Sequence, residues 1–98
     1  MNITKQKDGS KLTVSLQGRL DTTTAPDLEK EMKDALTGVT ELTIDCANLD
    51  YISSAGLRVL LSLHKTMAKA GSMKLIHVNE MVMEVFEVTG FSDILTIE

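Results

Sequence analysis

The chain has 98 residues, 43% of them apolar, and a formal charge of −4; this suits one folded domain with a modest core and excludes a disordered chain. The acidic balance leaves no basic footprint for nucleic acid or an anionic membrane, and no Trp, one Tyr and two Phe leave no stacking platform for single strands. No apolar run approaches bilayer length, residues 1–8 lack the apolar centre of a secretory signal, and the single Cys46 permits no internal disulfide, so a cytoplasmic setting without membrane insertion is expected.

In chain order, residues 3–7 and 11–16 flank an Asp8-Gly9 turn, and Leu12, Val14 and Leu16 alternate with polar residues. That pattern predicts a hairpin with one buried face. Residues 18–24 read as a loop. A first helix is predicted over 26–36, with Pro26 in its opening turn and Leu28, Met32, Ala35 and Leu36 on one face. Leu42, Ile44 and Cys46 mark a strand over 41–46.

A second helix is predicted over 54–70, ended by Gly71 and carrying a wide apolar face of Leu57, Leu60, Leu61, Leu63, Met67 and Ala68. A strand over 73–78, a short helix over 80–88 with Val82, Val85 and Phe86 inward, and a last strand over 94–97 complete the chain. Strands alternating with helices imply an α/β fold: one domain over 1–98, a mixed and mostly parallel sheet flanked by helices, with an N-terminal β-hairpin.

No catalytic constellation emerges. Ser54 lacks the Gly-x-Ser-x-Gly elbow, and His64 lies ten positions further along the same helix, too far to serve it as a base. Cys46, His64 and His77 have no metal-ligand spacing, and Cys46 falls on a core-facing strand position, where an inert buried thiol is expected. No glycine-rich loop has phosphate-binding spacing. Neither enzyme activity nor a cofactor is predicted. Met67 and Met73 fall on core faces, whereas Met81 lies off the inward face of its helix and is expected to be exposed.

The informative segment is Tyr51-Ile52-Ser53-Ser54-Ala55-Gly56-Leu57-Arg58, which joins a strand to the second helix. Two adjacent hydroxyls stand where a helix leaves backbone N–H groups unpaired. Local physics supports two roles there. Serine is a usual helix cap, and the same N–H groups and dipole would stabilise a phosphate on a serine so placed.

This segment resembles the Asp/Ser-Ser-x-Gly-Leu motif of STAS-domain proteins, specifically the bacterial anti-sigma factor antagonists. Gly18-Arg19-Leu20-Asp21, Leu42-Thr43-Ile44-Asp45 and Phe86-Glu87-Val88-Thr89-Gly90-Phe91 resemble further family segments, in family order. The resemblance implies an antagonist that binds an anti-sigma factor serine kinase while unphosphorylated, freeing the sigma factor. Phosphorylation at Ser54, with Ser53 as the alternative acceptor, would end the binding, and a PP2C-type phosphatase would reverse it. Asp21, Thr22, Thr23, Ser53, Gly56 and Arg58 are the implied partner-binding residues. Ser53 stands where the family often has Asp, and Arg58 where glycine is frequent. Two other functions fit the fold: a STAS accessory subunit of a lipid-transporting ABC complex, bound to its ATPase, and a small nucleotide-binding protein.

Overall fold

Four strands and three helices follow one another in the computed structural model, which describes residues 1–98. They are β1 (Asn2–Asp8), β2 (Lys11–Leu20), α1 (Ala25–Ala35), β3 (Glu41–Ile52), α2 (Ser54–Ala70), β4 (Ser72–Ile76) and α3 (Glu80–Thr89), followed by a 3-10 turn at Phe91–Asp93. The sheet order is β1-β2-β3-β4, with β1 antiparallel to β2 and the other pairs parallel. The mixed sheet and its N-terminal hairpin agree with the sequence pattern. Each parallel crossover carries a helix, as parallel neighbours require.

The sheet is one-sided. Leu12, Val14 and Leu16 of β2, Leu42, Ile44 and Cys46 of β3, and Met73 and Leu75 of β4 are buried, while the residues alternating with them are half-buried or exposed. The helices cover the apolar face with Leu28 and Met32, with Leu57, Leu60, Leu63 and Met67, and with Val82 and Phe86, all in one core cluster. Cys46 lies in that core, and burial, aided by the neighbouring Asp45 charge, pushes its thiol up to about 12. It is a packing group and no nucleophile at neutral pH. The edge strand β1 is exposed along almost its whole length and bears Lys5 and Lys7, which discourages edge-to-edge pairing.

The structure departs from the sequence pattern in three places. First, β2 and β3 run on to Leu20 and Ile52, through residues 18–20 read as loop and past the predicted end at Cys46. Their pairing shifts register between Ser15 and Gln17 and again between Gly18 and Arg19. Each shift inserts one extra residue into β3. The buried positions therefore go from a spacing of two (Leu42, Ile44, Cys46) to three (Cys46, Leu49, Ile52), which hides the strand from a search for alternation. Gly18, at φ 106°, sits at the second shift.

Second, β4 ends at Ile76 because His77 takes a left-handed conformation, φ 57°, and turns the chain away. Third, residues 94–97 form no strand. The 3-10 turn occupies the approach, and the chain meets β4 only through a Leu75–Ile97 bridge, with Leu75 N–H donating to Thr96 O and Glu98 N–H to Leu75 O. No helix is long and apolar enough to cross a membrane.

Candidate functional site

The parallel pairing of β2 with β3 ends at Leu20 opposite Ile52. The next residues, Asp21 and Ser53, leave the sheet side by side, and Ser53 N–H donates to Leu20 O at 2.9 Å. Strand C-terminal ends in open α/β sheets gather functional loops on one edge. Here that edge brings together the loop 21–24 and the first turn of α2.

Ser53 is the cap. Its backbone is extended, φ −100° and ψ 176°, and its Oγ accepts from Gly56 N–H at 3.4 Å. Its carbonyl accepts from Leu57 N–H at 2.9 Å. Ser54 occupies the first helical position, is exposed, and its hydroxyl has no hydrogen-bond partner within the chain. The cap and the free hydroxyl are thus divided between the two serines. The N–H groups of Ser54 and Ala55 are left for solvent or an anion, and no acidic side chain stands in the first turn to compete. Ser53→Ala should cost about 1 kcal/mol of stability and Ser54→Ala less than about 0.5 kcal/mol. Urea unfolding of both variants checks the assignment.

Asp21 is a structural carboxylate. Its Oδ1 accepts from Thr24 N–H at 3.1 Å and from Thr23 N–H at 3.0 Å, so it caps the turn that opens α1. The Thr24 N–H bond, foremost, holds its carboxyl below the usual value. Thr24 Oγ1 accepts from Asp21 N–H at 2.9 Å and donates to Arg19 O at 2.7 Å, closing the loop on itself. Arg19 reaches back to Asp21 Oδ2 at 3.6 Å, and its guanidinium lies 4.2 Å from the centre of the Tyr51 ring, a cation–π contact across the two strand ends. Alternation gave no hint of this Arg19–Tyr51 clasp; only the bulged register pairs the two residues.

Thr22 and Thr23 are exposed on the loop. Thr22, Ala25, Pro26, Glu29, Ala55 and Arg58 line most of an open cleft of about 420 Å³ between the starts of α1 and α2. Arg58 is exposed and joins no ion pair. Gly56 belongs elsewhere. It is buried, and a Cβ there would lie 2.7 Å from Leu20 Cγ and 2.9 Å from both Ile52 Cγ1 and Leu20 O. It faces Leu20 of β2 and Ile52 of β3 and seats the helix.

A second polar cluster lies where β4 ends beside β3. Asp45 Oδ1 accepts from Ala47 N–H at 3.0 Å and pairs with His77 Nδ1 at 3.0 Å. The Ala47 bond, then His77, holds the Asp45 carboxyl below 3.8. An ionised carboxylate only accepts, so the His77 Nδ1 carries the proton. A lowered carboxylate stabilises the fold above its unfolded value of 3.8, and that stabilisation is lost as pH falls through the folded value. Asp45→Asn should cost about 1 kcal/mol at neutral pH, and the gap from wild type should narrow as pH falls below 3.8 and through the lowered folded value. Thermal melts across that range test it.

No group of three or more His, Cys, Asp or Glu side chains is arranged to hold a metal ion.

The chain matches the family model of the STAS domain over residues 2–98. It belongs to the STAS-domain family. It is 36% identical over 99 residues to BtrV of Bordetella bronchiseptica, named as an anti-sigma factor antagonist, covering 99% of this chain and 85% of that protein. It is 28% identical over 98 residues to the anti-sigma-B factor antagonist of Bacillus subtilis, covering 99% of this chain and 90% of that one. The fold is shared with SpoIIAA, a Bacillus cell fate determinant solved in its phosphorylated form: TM-score 0.76, 18% identity, 99% of this chain and 91% of that one.

Proposed function

We propose that this protein is an anti-sigma factor antagonist that binds an anti-sigma factor serine kinase when unphosphorylated and is switched off by phosphorylation of Ser54. The observation that carries the reading is the division of labour at the helix start. Ser53 spends its oxygen on the cap, while Ser54 offers an exposed, unengaged hydroxyl beside free backbone N–H groups. The family and the names of its relatives support the class of function. A PP2C-type phosphatase would reset the switch.

Chemically, the edge is a docking face and not a reaction centre. Thr22 and Arg58 present donors in the α1–α2 cleft, Thr23 is exposed on the adjoining loop, and Asp21 holds the loop that carries the threonines. Arg58 stands four residues after Ser54 on the same helical face and joins no ion pair within the chain. Arg58→Ala should weaken partner binding about tenfold and leave the melting temperature unchanged; titration calorimetry and a thermal melt measure the two.

The deciding experiment is a pull-down from native lysate with wild type, Ser54→Ala and Ser54→Glu as baits. The first two should retain an ATPase-fold serine kinase and the third should lose it. Capture of one transporter ATPase by all three would replace the antagonist with a transport accessory subunit, and Ser54 would carry no switch.

A further inference from the structure

Helix α3 buries Val82 and Phe86 and leaves its outer face without a partner. Met81 is 60% exposed and Val88 81% exposed. With half-buried Val85 between them they stand at i, i+4 and i+7, a single stripe along the helix. Together with Glu84 and Thr89 they line a shallow groove. Large side chains so exposed and so aligned mark a contact surface more often than isolated exposed residues do.

Beside the stripe runs a second row at the same spacing, Glu80, Glu84 and Glu87, and none of the three joins an ion pair. Nothing after Lys74 in the sequence is Lys or Arg, so α3 carries no cation. Like charges three and four residues apart repel, and Glu87 lies near the negative end of the helix dipole. Glu80 suits the first turn of the helix, but the repulsion of Glu84 with Glu80 and Glu87 is relieved by cations brought from outside.

We infer that the outer face of α3 docks an amphipathic protein helix whose apolar stripe is flanked by Lys or Arg. A second copy of this chain fits poorly, because an isologous contact brings only what the patch already has, methyl groups and carboxylates. An anionic bilayer is repelled by the same three glutamates. A helix laid in the groove supplies both the apolar complement and the missing positive charge. This surface is separate from the Ser54 edge, whose cleft contains no residue of α3, so it stands or falls independently of the phosphorylation switch.

A synthetic Leu/Lys amphipathic helical peptide, titrated into the ¹⁵N-labelled protein, tests the inference. Saturable amide shifts should centre on residues 81–89 and weaken with added salt. The double variant Met81→Gln/Val88→Gln changes two exposed side chains and no charge; it should raise the Kd about tenfold while its spectrum stays folded. A Leu/Glu peptide of the same pattern should bind at least about tenfold more weakly. The inference is overturned by shifts centred elsewhere, by equal binding of a scrambled Leu/Lys peptide, or by no loss in the double variant. Sedimentation showing a dimer abolished by the double variant would assign the face to a second copy. Co-sedimentation with anionic vesicles would assign it to lipid.

Discussion

Gly56→Val is expected to be the most damaging single change at the candidate site, costing about 3 kcal/mol. A Cβ at position 56 would stand 2.7 Å from Leu20 Cγ and 2.9 Å from Ile52 Cγ1, and also 2.9 Å from Leu20 O. The two side-chain contacts could be eased by rotamer changes, at a cost in core packing. The carbonyl cannot yield, because it accepts the Ser53 N–H bond that ties α2 to β2. The helix start must therefore move outward, taking the Ser53 cap with it. Alanine would impose the same first clash, but it gains about 1 kcal/mol of helix propensity over glycine, so Gly56→Ala should cost about half as much as valine. Urea midpoints with unchanged slopes would register the loss, and amide shifts over residues 53–58 would register the displacement. A valine variant as stable as wild type would mean that α2 is free to ride up on the sheet, and the seating role would be withdrawn.

The same junction shows what a one-dimensional pattern can and cannot carry. Helix α2 begins at Ser54 and ends at Ala70, where the hydroxyl pair and Gly71 place its ends, because caps are local chemistry written in adjacent residues. Which serine caps was not legible, since the answer depends on Ser53 being tethered to Leu20 across two strands. The far half of β3 was illegible for a related reason. Its two inserted residues are recognisable only against β2, its partner in space. The family resemblance marked Asp21 as a candidate, but not that its Oδ1 accepts from the Thr23 and Thr24 N–H groups. The predicted strand over 94–97 failed because Leu95 is buried in the core while only Ile97 bridges to β4, and apolar content alone does not separate core burial from pairing.

On the proposed reading, a negative charge at Ser54 should lower partner affinity about 100-fold, or about 2.7 kcal/mol, while changing the stability of the free protein by less than about 1 kcal/mol. The two effects separate because the charge meets different surroundings in each state. In the free protein a phosphate at position 54 would face the unpaired N–H groups of Ser54 and Ala55, no acidic side chain in the first turn, and an Arg58 without an ion pair. Water covers whatever the helix does not. In the complex that water is stripped away, and a group carrying about −1.5 to −2 charge must be matched by the partner or remain buried and unpaired, which costs several kcal/mol. Calorimetric titration of Ser54→Glu against the captured kinase measures the first quantity, and a thermal melt measures the second. Affinity equal to wild type would remove Ser54 as the switch. A melting temperature depressed in proportion to the affinity would show a damaged helix start, and the loss would then belong to folding, as in Gly56→Val, and not to charge at an interface.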